Sequence, residues 1–402
     1  MLSRMLRSLT TVLAFWHSTV SSQQPVNSLV SRRFTEYLMP AATETHEFAR
    51  VPNTSFVLLS QMSNSQLVKI ELDPDSLEPI ALQSFPMGNS NSGLHGVYPS
   101  QLYPGFMWLS LQADNQILLV DPGSNLTTKP TIIQKIDVPE PGIGPHSVFE
   151  IGNRVWAGLK VASNQTGKYY VFSVDVSKSS TNSSDPKLYE CLKSPVFINE
   201  EPTTKFIYAN QDAESSIMRI DVDSGKTEQI PIPPEFGNTP VGMTTAYGPL
   251  EGVWFVIAGD SSGGLGSFGH IDSSGEPEFF QLKEPLLGTN AGLLHVADAS
   301  SLEGGPALWL LSTSLLSNKS ADALIRVTFD QGVTSILGEL YISVPTQNSW
   351  VHRVAPMGDT VLVSQLHTFT LAQLTYKNTI AGEWLPAEQV VASDFTDPNE
   401  TG

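Results

Sequence analysis

With 402 residues, 40% of them hydrophobic and only 15% charged, the chain is long enough to bury a large core and to hold more than one domain. Thirty glycines and 28 prolines favour an all-β protein rich in turns, and a formal charge of −18 argues against nucleic acid or an anionic membrane as partner. Beyond the first 25 residues no run of ten or more keeps a helical period, so the fold class read from the sequence is all-β.

The N-terminus has the pattern of a signal peptide over residues 1–22. Arg4 and Arg7 form a positive region, Leu9 to Trp16 an apolar one, and Val20-Ser21-Ser22 a small-residue cleavage site before Gln23. The apolar stretch is too short to span a bilayer, so no membrane span is expected, and the mature chain is expected to be secreted. Six Asn-X-Ser/Thr sequons, at Asn53, Asn125, Asn164, Asn182, Asn318 and Asn399, agree with that compartment and are the expected glycosylation sites. Cys191 is the only cysteine, which excludes an intramolecular disulfide; its apolar setting reads as a buried thiol and not a nucleophile.

From about residue 44 onward one pattern recurs: an apolar run centred on a large residue, a polar turn, then a second apolar run usually ending in Asp. The centres are Leu58, Trp108, Trp156, Tyr208, Trp254, Trp309 and Leu362, spaced 50, 48, 52, 46, 55 and 53 residues apart. The second runs are Gln66 to Asp73, Gln116 to Asp121, Tyr169 to Asp175, Ile217 to Asp221, Phe268 to Asp272, Leu324 to Asp330 and Thr370 to Tyr376. A third run precedes each centre, and a fourth, more variable run follows. Four strands in a unit of 40 to 55 residues is the pattern of a β-propeller blade, and seven units give a seven-bladed propeller. Six blades are the alternative, with the Tyr208 unit as an insertion. Residues 23–402 are read as a single domain. The last unit reads as owning its fourth strand at Gly382 to Val391, which leaves open whether residues 24 to 43 close the ring or pack across a face. The closing aspartates read as turn formers.

In a propeller the first strand of each blade lines the axis, and its start opens on one face with the turn between strands two and three. At that place stand His95, His146, His295 and His352, and by the same reading His46. Imidazole exchanges protons near neutral pH and also ligates metals, so the first four are the candidate catalytic residues. The bland alternative is a structural histidine inherited with the repeat. Trp350, Asn290, Asn348 and Met243 lie near the same starts and are candidate substrate contacts. Asn210, Asp212, Asp260 and Glu47 could offer oxygens to a cation, but they do not complete a convincing site, so no metal and no cofactor are expected. Phosphate loops, nucleophile elbows, Cys/His zinc spacings and His-Glu-X-X-His are all absent from the sequence.

Two units, Gly144-Pro145-His146-Ser147-Val148 running to Trp156 and Thr239-Pro240-Val241-Gly242-Met243 running to Trp254, resemble the repeat of the streptogramin B lyase group of seven-bladed propellers. That group uses a metal ion with histidine at the channel. The whole plan of signal peptide, sequons, degenerate propeller and a lone cysteine resembles the fungal hetero-Diels-Alderases of tropolone–sesquiterpenoid pathways. This second resemblance implies a cofactor-free reaction of a tropolone-derived o-quinone methide with a sesquiterpene alkene, hence a small apolar natural product as substrate. The sequence leaves two alternatives: a metal-dependent lyase or lactonase on the same propeller, and a non-enzymatic secreted binding module.

Overall fold

The computed structural model describes residues 24–25, 28–30, 34–177, 184–259, 264, 266–288 and 291–375. The proposed signal segment, Asn182, Asn290, Asn399, Asp260 and the Gly382 to Val391 run lie outside them. Within them the chain forms seven antiparallel sheets, the blades of a seven-bladed propeller. The six-bladed alternative is overturned: the Tyr208 unit is a complete blade of four strands, Ser194–Glu200, Phe206–Asp212, Ser216–Asp221 and Thr227–Pro231.

The inner strands, one per blade in chain order, are Thr45–Arg50, Leu94–Pro99, Ile143–Ile151, Ser194–Glu200, Thr239–Ala246, Leu293–Asp298 and Val351–Met357. All seven repeat centres lie on the second strands, which run Phe56–Gln61, Met107–Leu111, Arg154–Val161, Phe206–Asp212, Gly252–Gly259, Ala307–Ser312 and Thr360–Gln365. These strands are apolar almost throughout because blades cover both of their faces. Trp108, Trp156, Trp254 and Trp309 are among the largest fully buried side chains, wedged between neighbouring blades. The core is thus a ring of packed wedges, not one central mass.

The third strands of blades 1 to 6 each end at an aspartate that folds the following turn. Asp73, Asp121, Asp175, Asp221, Asp272 and Asp330 each accept, through Oδ1, a backbone N–H two to five residues on, at 2.7 to 3.1 Å. These backbone donors hold the Asp73, Asp221 and Asp330 carboxyls below the ordinary carboxylate range, as the Ser274 hydroxyl does for Asp272.

Every inner strand carries a β-bulge near its start, seen as a register shift at Thr45/Phe48, Leu94/Val97, Pro145/Val148, Pro195/Ile198, Pro240/Met243, Leu293/His295 and Val351/Arg353. In blades 1, 2 and 4 the residue facing the bulge ties it to the next blade. Ser60 Oγ accepts from Glu47 N at 3.1 Å and donates to His95 O at 2.6 Å. Ser110 Oγ accepts from Gly96 N at 2.7 Å and donates to His146 O at 2.5 Å. Asn210 does both with its amide, accepting from Phe197 N and donating to Pro240 O. In blade 3 the facing residue is Gly158, where a Cβ would stand 2.6 Å from Pro195 O; Ser147 supplies the link instead, donating to Val196 O.

The ring is closed by the N-terminal segment. Phe34–Leu38 pairs with Thr370–Thr375 as the fourth strand of blade 7, and Ser28–Val30 pairs on its outside. Gln24–Pro25 pairs with the outer strand of blade 1, so the same segment bridges the outer edges of the first and last blades. Glu36, buried in the seam, accepts from Thr346 N, Thr346 Oγ1 and Gln365 Nε2 at 3.1, 2.6 and 2.9 Å. No helix among the described residues is long and apolar enough to cross a membrane.

If the bulge ties hold the blades, Ser110→Ala strands the buried Gly96 N–H. The expected loss is about 1–3 kcal/mol of unfolding free energy, measured by urea denaturation, because an unsatisfied buried donor costs its desolvation. A loss near zero would show that the tie is dispensable.

Candidate active site

The bulges decide what faces the axis. In register, their first positions are His46, His95, His146, Val196, Val241, Leu294 and His352. Their second positions are Glu47, Gly96, Ser147, Phe197, Gly242, His295 and Arg353. The first ring is therefore split in two. Blades 7, 1, 2 and 3 contribute four imidazoles on one side, and blades 4, 5 and 6 contribute three aliphatic side chains on the other.

The four imidazoles touch in blade order. Ring centroids are 4.3 Å apart for His352 and His46, 4.3 Å for His46 and His95, and 3.4 Å for His95 and His146, the last pair stacked. Two of the rings have fixed tautomers. His95 Nδ1 donates to His146 O at 3.1 Å, and His146 Nδ1 donates to Gln112 Oε1 at 2.6 Å, which leaves each Nε2 as the lone-pair nitrogen. His95 Nε2 and His46 Nδ1 are buried and without a hydrogen-bond partner.

His295 is not part of this stack. The sequence aligned it with the other candidates, but the blade 6 bulge falls at Leu294, so His295 takes the second position, that of Glu47 and Arg353. Its ring meets Phe197 edge-on at 5.4 Å. The aligned tripeptides look alike in sequence; only strand pairing fixes where the extra residue sits.

Desolvation dominates the electrostatics. Burial holds His46, His95, His146 and His295 well below the usual imidazole range, and neighbouring cationic groups add to it. For His352 burial, with Lys160 and Arg353, pushes the pKa down to about 3. At neutral pH the imidazoles are therefore neutral bases. The cations nearby are Arg353, whose Nη1 lies 2.9 Å from Glu47 Oε2, and Lys160, whose own ammonium is destabilised by burial. Burial raises the Glu47 carboxyl while Arg353 opposes the rise. Neither Lys160 nor Arg353 stands in a repeated motif, so their contributions were not legible before the strands were paired.

The remaining candidates divide. Trp350 stands on the mouth face, its ring tilted against that of His367 with centroids 4.6 Å apart, and both it and the exposed Asn348 have φ in the left-handed region, +55° and +54°. Asp322 pins this loop, accepting from Ser314 N, Ser349 N and Ser349 Oγ at 2.7, 2.8 and 3.2 Å, which offsets the strain of two non-glycine residues there. Met243 is corrected: it follows the blade 5 bulge and is enclosed in the core beside Ile198, Tyr208 and Phe255, so it packs blades and does not line the mouth. Asn290 is outside the described residues. Leu192 and Leu316, both exposed, lie in loops on the mouth face. Cys191 is buried, and burial pushes its thiol up to about 12, as suits a structural thiol. Asn53, Asn125, Asn164 and Asn318 are all exposed.

One ligand group that the sequence did not show emerges at the junction of blades 7 and 1. His46, Glu47 and His352 each offer one ligand atom, all within 4.8 Å of one another.

No protein-family model and no curated protein matches the chain. Solved structures do. Virginiamycin B lyase from Staphylococcus aureus superposes with a TM-score of 0.63 at 20% identity, over 85% of this chain and 99% of the lyase. A catalytically inactive histidine-to-alanine variant of that lyase with quinupristin matches at 0.63 and 18%, over 85% and 99%. YCF48 bound to a D1 peptide matches at 0.59 and 14%, over 89% and 100%. At such identities the likeness establishes the β-propeller fold.

Histidines buried as neutral bases bind fewer protons in the folded than in the unfolded chain below pH 6.5. Stability is accordingly complete above that pH and falls as pH drops beneath it, by at most about 1.4 kcal/mol per pH unit for each such histidine. Urea titrations between pH 7.5 and 5 should show this slope, and His295→Leu should flatten it; an unchanged slope in that variant would mean that His295 titrates normally.

Proposed function

We propose that the protein is a lyase-type enzyme that performs acid–base chemistry on a small, largely apolar substrate held at the axial mouth. The observation that carries this reading is the split ring: four neutral imidazoles face Val196, Val241 and Leu294 across the axis. The aliphatic half, with Leu192, Leu316 and Trp350 above it, suits a hydrocarbon skeleton, and the imidazole half suits proton removal. His146 is the assigned base, its Nε2 lone pair directed by the Gln112 bond at Nδ1. Lys160 and Arg353 stabilise the anion that forms as the proton leaves.

The sharper form is the hetero-Diels-Alderase reaction. His146 takes the hydroxyl proton of a tropolone that carries a neighbouring carbinol, and the electron pair moves to make the exocyclic double bond. The carbinol oxygen departs as water with a proton from Lys160, whose burial makes it a stronger acid, and exchange with solvent then removes the proton from His146 and restores that of Lys160. The resulting o-quinone methide and a sesquiterpene alkene, held together against the aliphatic half, then close the new ring without further proton transfer. That a histidine-to-alanine change inactivates the virginiamycin B lyase is consistent with a histidine doing chemistry in a propeller of this shape. On this reading the protein works as a secreted glycoprotein, which an N-terminus near Gln23 and a mass loss on N-glycosidase treatment would support.

A second reading, a binding module like the peptide-bound YCF48, is favoured by the burial of the stack, with His95 only 1% and His146 only 3% exposed. Turnover of a tropolone carbinol with a humulene-type alkene separates the two. His146→Ala is expected to lower kcat by roughly 10²–10⁴-fold with little change in Tm, and Gln112→Leu to lower it less while shifting its pH profile. Full turnover per folded His146→Ala molecule would remove His146 from the mechanism, and no turnover by the parent would favour the binding module.

A further inference from the structure

The ring closes non-covalently where Phe34–Leu38, which runs on into blade 1, pairs with Thr370–Thr375 of blade 7, and among the described residues Gln373 Nε2 also donates to Leu77 O across the seam of blades 7 and 1. At the axial end of the same seam three buried polar atoms lack any hydrogen-bond partner: His46 Nδ1, Glu47 Oε1 and His352 Nδ1. Leaving such atoms bare is costly, and their gathering in one place calls for something that satisfies them together. His352 Nδ1 and Glu47 Oε1 are 3.7 Å apart, and the imidazole centroids of His46 and His352 are 4.3 Å apart.

From this geometry we infer that His46, Glu47 and His352 bind a divalent transition-metal ion that staples blade 7 to blade 1. Two imidazoles and one carboxylate suit a borderline ion such as Zn²⁺ or Co²⁺, with water completing the shell. The carboxylate is held for the purpose: Arg353 engages Oε2 at 2.9 Å and leaves Oε1 free, as outer-shell partners of ligating carboxylates do. Of the other charged groups near the ligands, Lys160 opposes a cation, and its burial, which eases loss of its proton, weakens that opposition. The other titratable neighbours are His95, His146 and His295: His95 commits its Nδ1 to His146 O and His146 its Nδ1 to Gln112 Oε1, and His295 stands against Phe197. The ion's role is structural. It binds the closed ring and not the opened one, so it raises the stability of the closed seam in proportion to the logarithm of its concentration.

The test uses the full mature chain, freed of metal with a chelator and then titrated with Zn²⁺ and, separately, Co²⁺. One ion per chain is expected, with a Tm that climbs with ion concentration and a Co²⁺ visible spectrum that marks nitrogen and oxygen ligands. His352→Gln and Glu47→Gln should each lose the spectrum and the Tm response, while Arg353→Leu should weaken binding by roughly 10–100-fold. Should the Gln variants fold poorly, the spectrum of His46→Asn at low temperature gives the same reading. A Tm indifferent to chelator and ion in the parent, or a response surviving in His352→Gln, overturns the staple and leaves a bridging water as the occupant. Turnover is measured alongside, well below the chelated Tm. Turnover unchanged while Tm falls upholds both the staple and the cofactor-free reaction. Loss of turnover by chelated but folded protein overturns the staple's purely structural role together with that reaction, in favour of a metal-dependent lyase.

Discussion

The bulge at the start of each inner strand is the constraint on which the structure depends. One extra residue, placed opposite a serine, asparagine or glycine in blades 1 to 4 and 7 and opposite Val256 and Leu311 in blades 5 and 6, turns two side chains out of the sheet's alternation. It also frees backbone groups for the neighbouring blade. Without it the inner strands would present alternate side chains to the two adjoining blades and none to the axis. Inner strands also approach so closely there that a Cβ at Gly242 would stand 2.4 Å from Leu294 O. The same device therefore sets the packing of the ring and the contents of its centre.

Filling that centre with imidazoles has an electrostatic consequence. Each ring desolvates the next, so protonation of one becomes harder as its neighbours crowd in, and the stack stays neutral where an exposed histidine would be half charged. Neutral, oriented imidazole is a base ready for use, but it is also a group that contributes nothing to folding through charge. The stability that a fully apolar axis would supply is partly given up on the side of blades 7, 1, 2 and 3, and retained on the side of Val196, Val241 and Leu294. Arg353 reaching across the seam to Glu47 compensates at one point, where two buried charges would each be unfavourable alone.

Closure through the N-terminus fits this picture. Strand pairing of Phe34–Leu38 with the end of the last blade lets residues from the two ends of the fold share Glu36 and the axial junction. The two ends are joined through backbone ladders at the rim and through side chains at the centre.

How much of this was legible beforehand follows from which forces are local. The second-strand centres, the aspartates that end the third strands and the presence of histidine on inner strands could be read from the sequence, because burial on both faces and turn chemistry leave a period in the residues themselves. Tertiary pairing alone decided that Phe34–Leu38 completes blade 7 and that His295 stands one place along from its apparent equivalents. It also decided that Met243 packs between blades and that Glu47 meets Arg353. Each of these turns on a single-residue register or on a contact between distant parts of the chain. A repeat fixes the spacing of its units but not the position of an inserted residue, since a bulge shifted by one leaves the hydrophobic pattern almost unchanged while exchanging which side chain faces the axis.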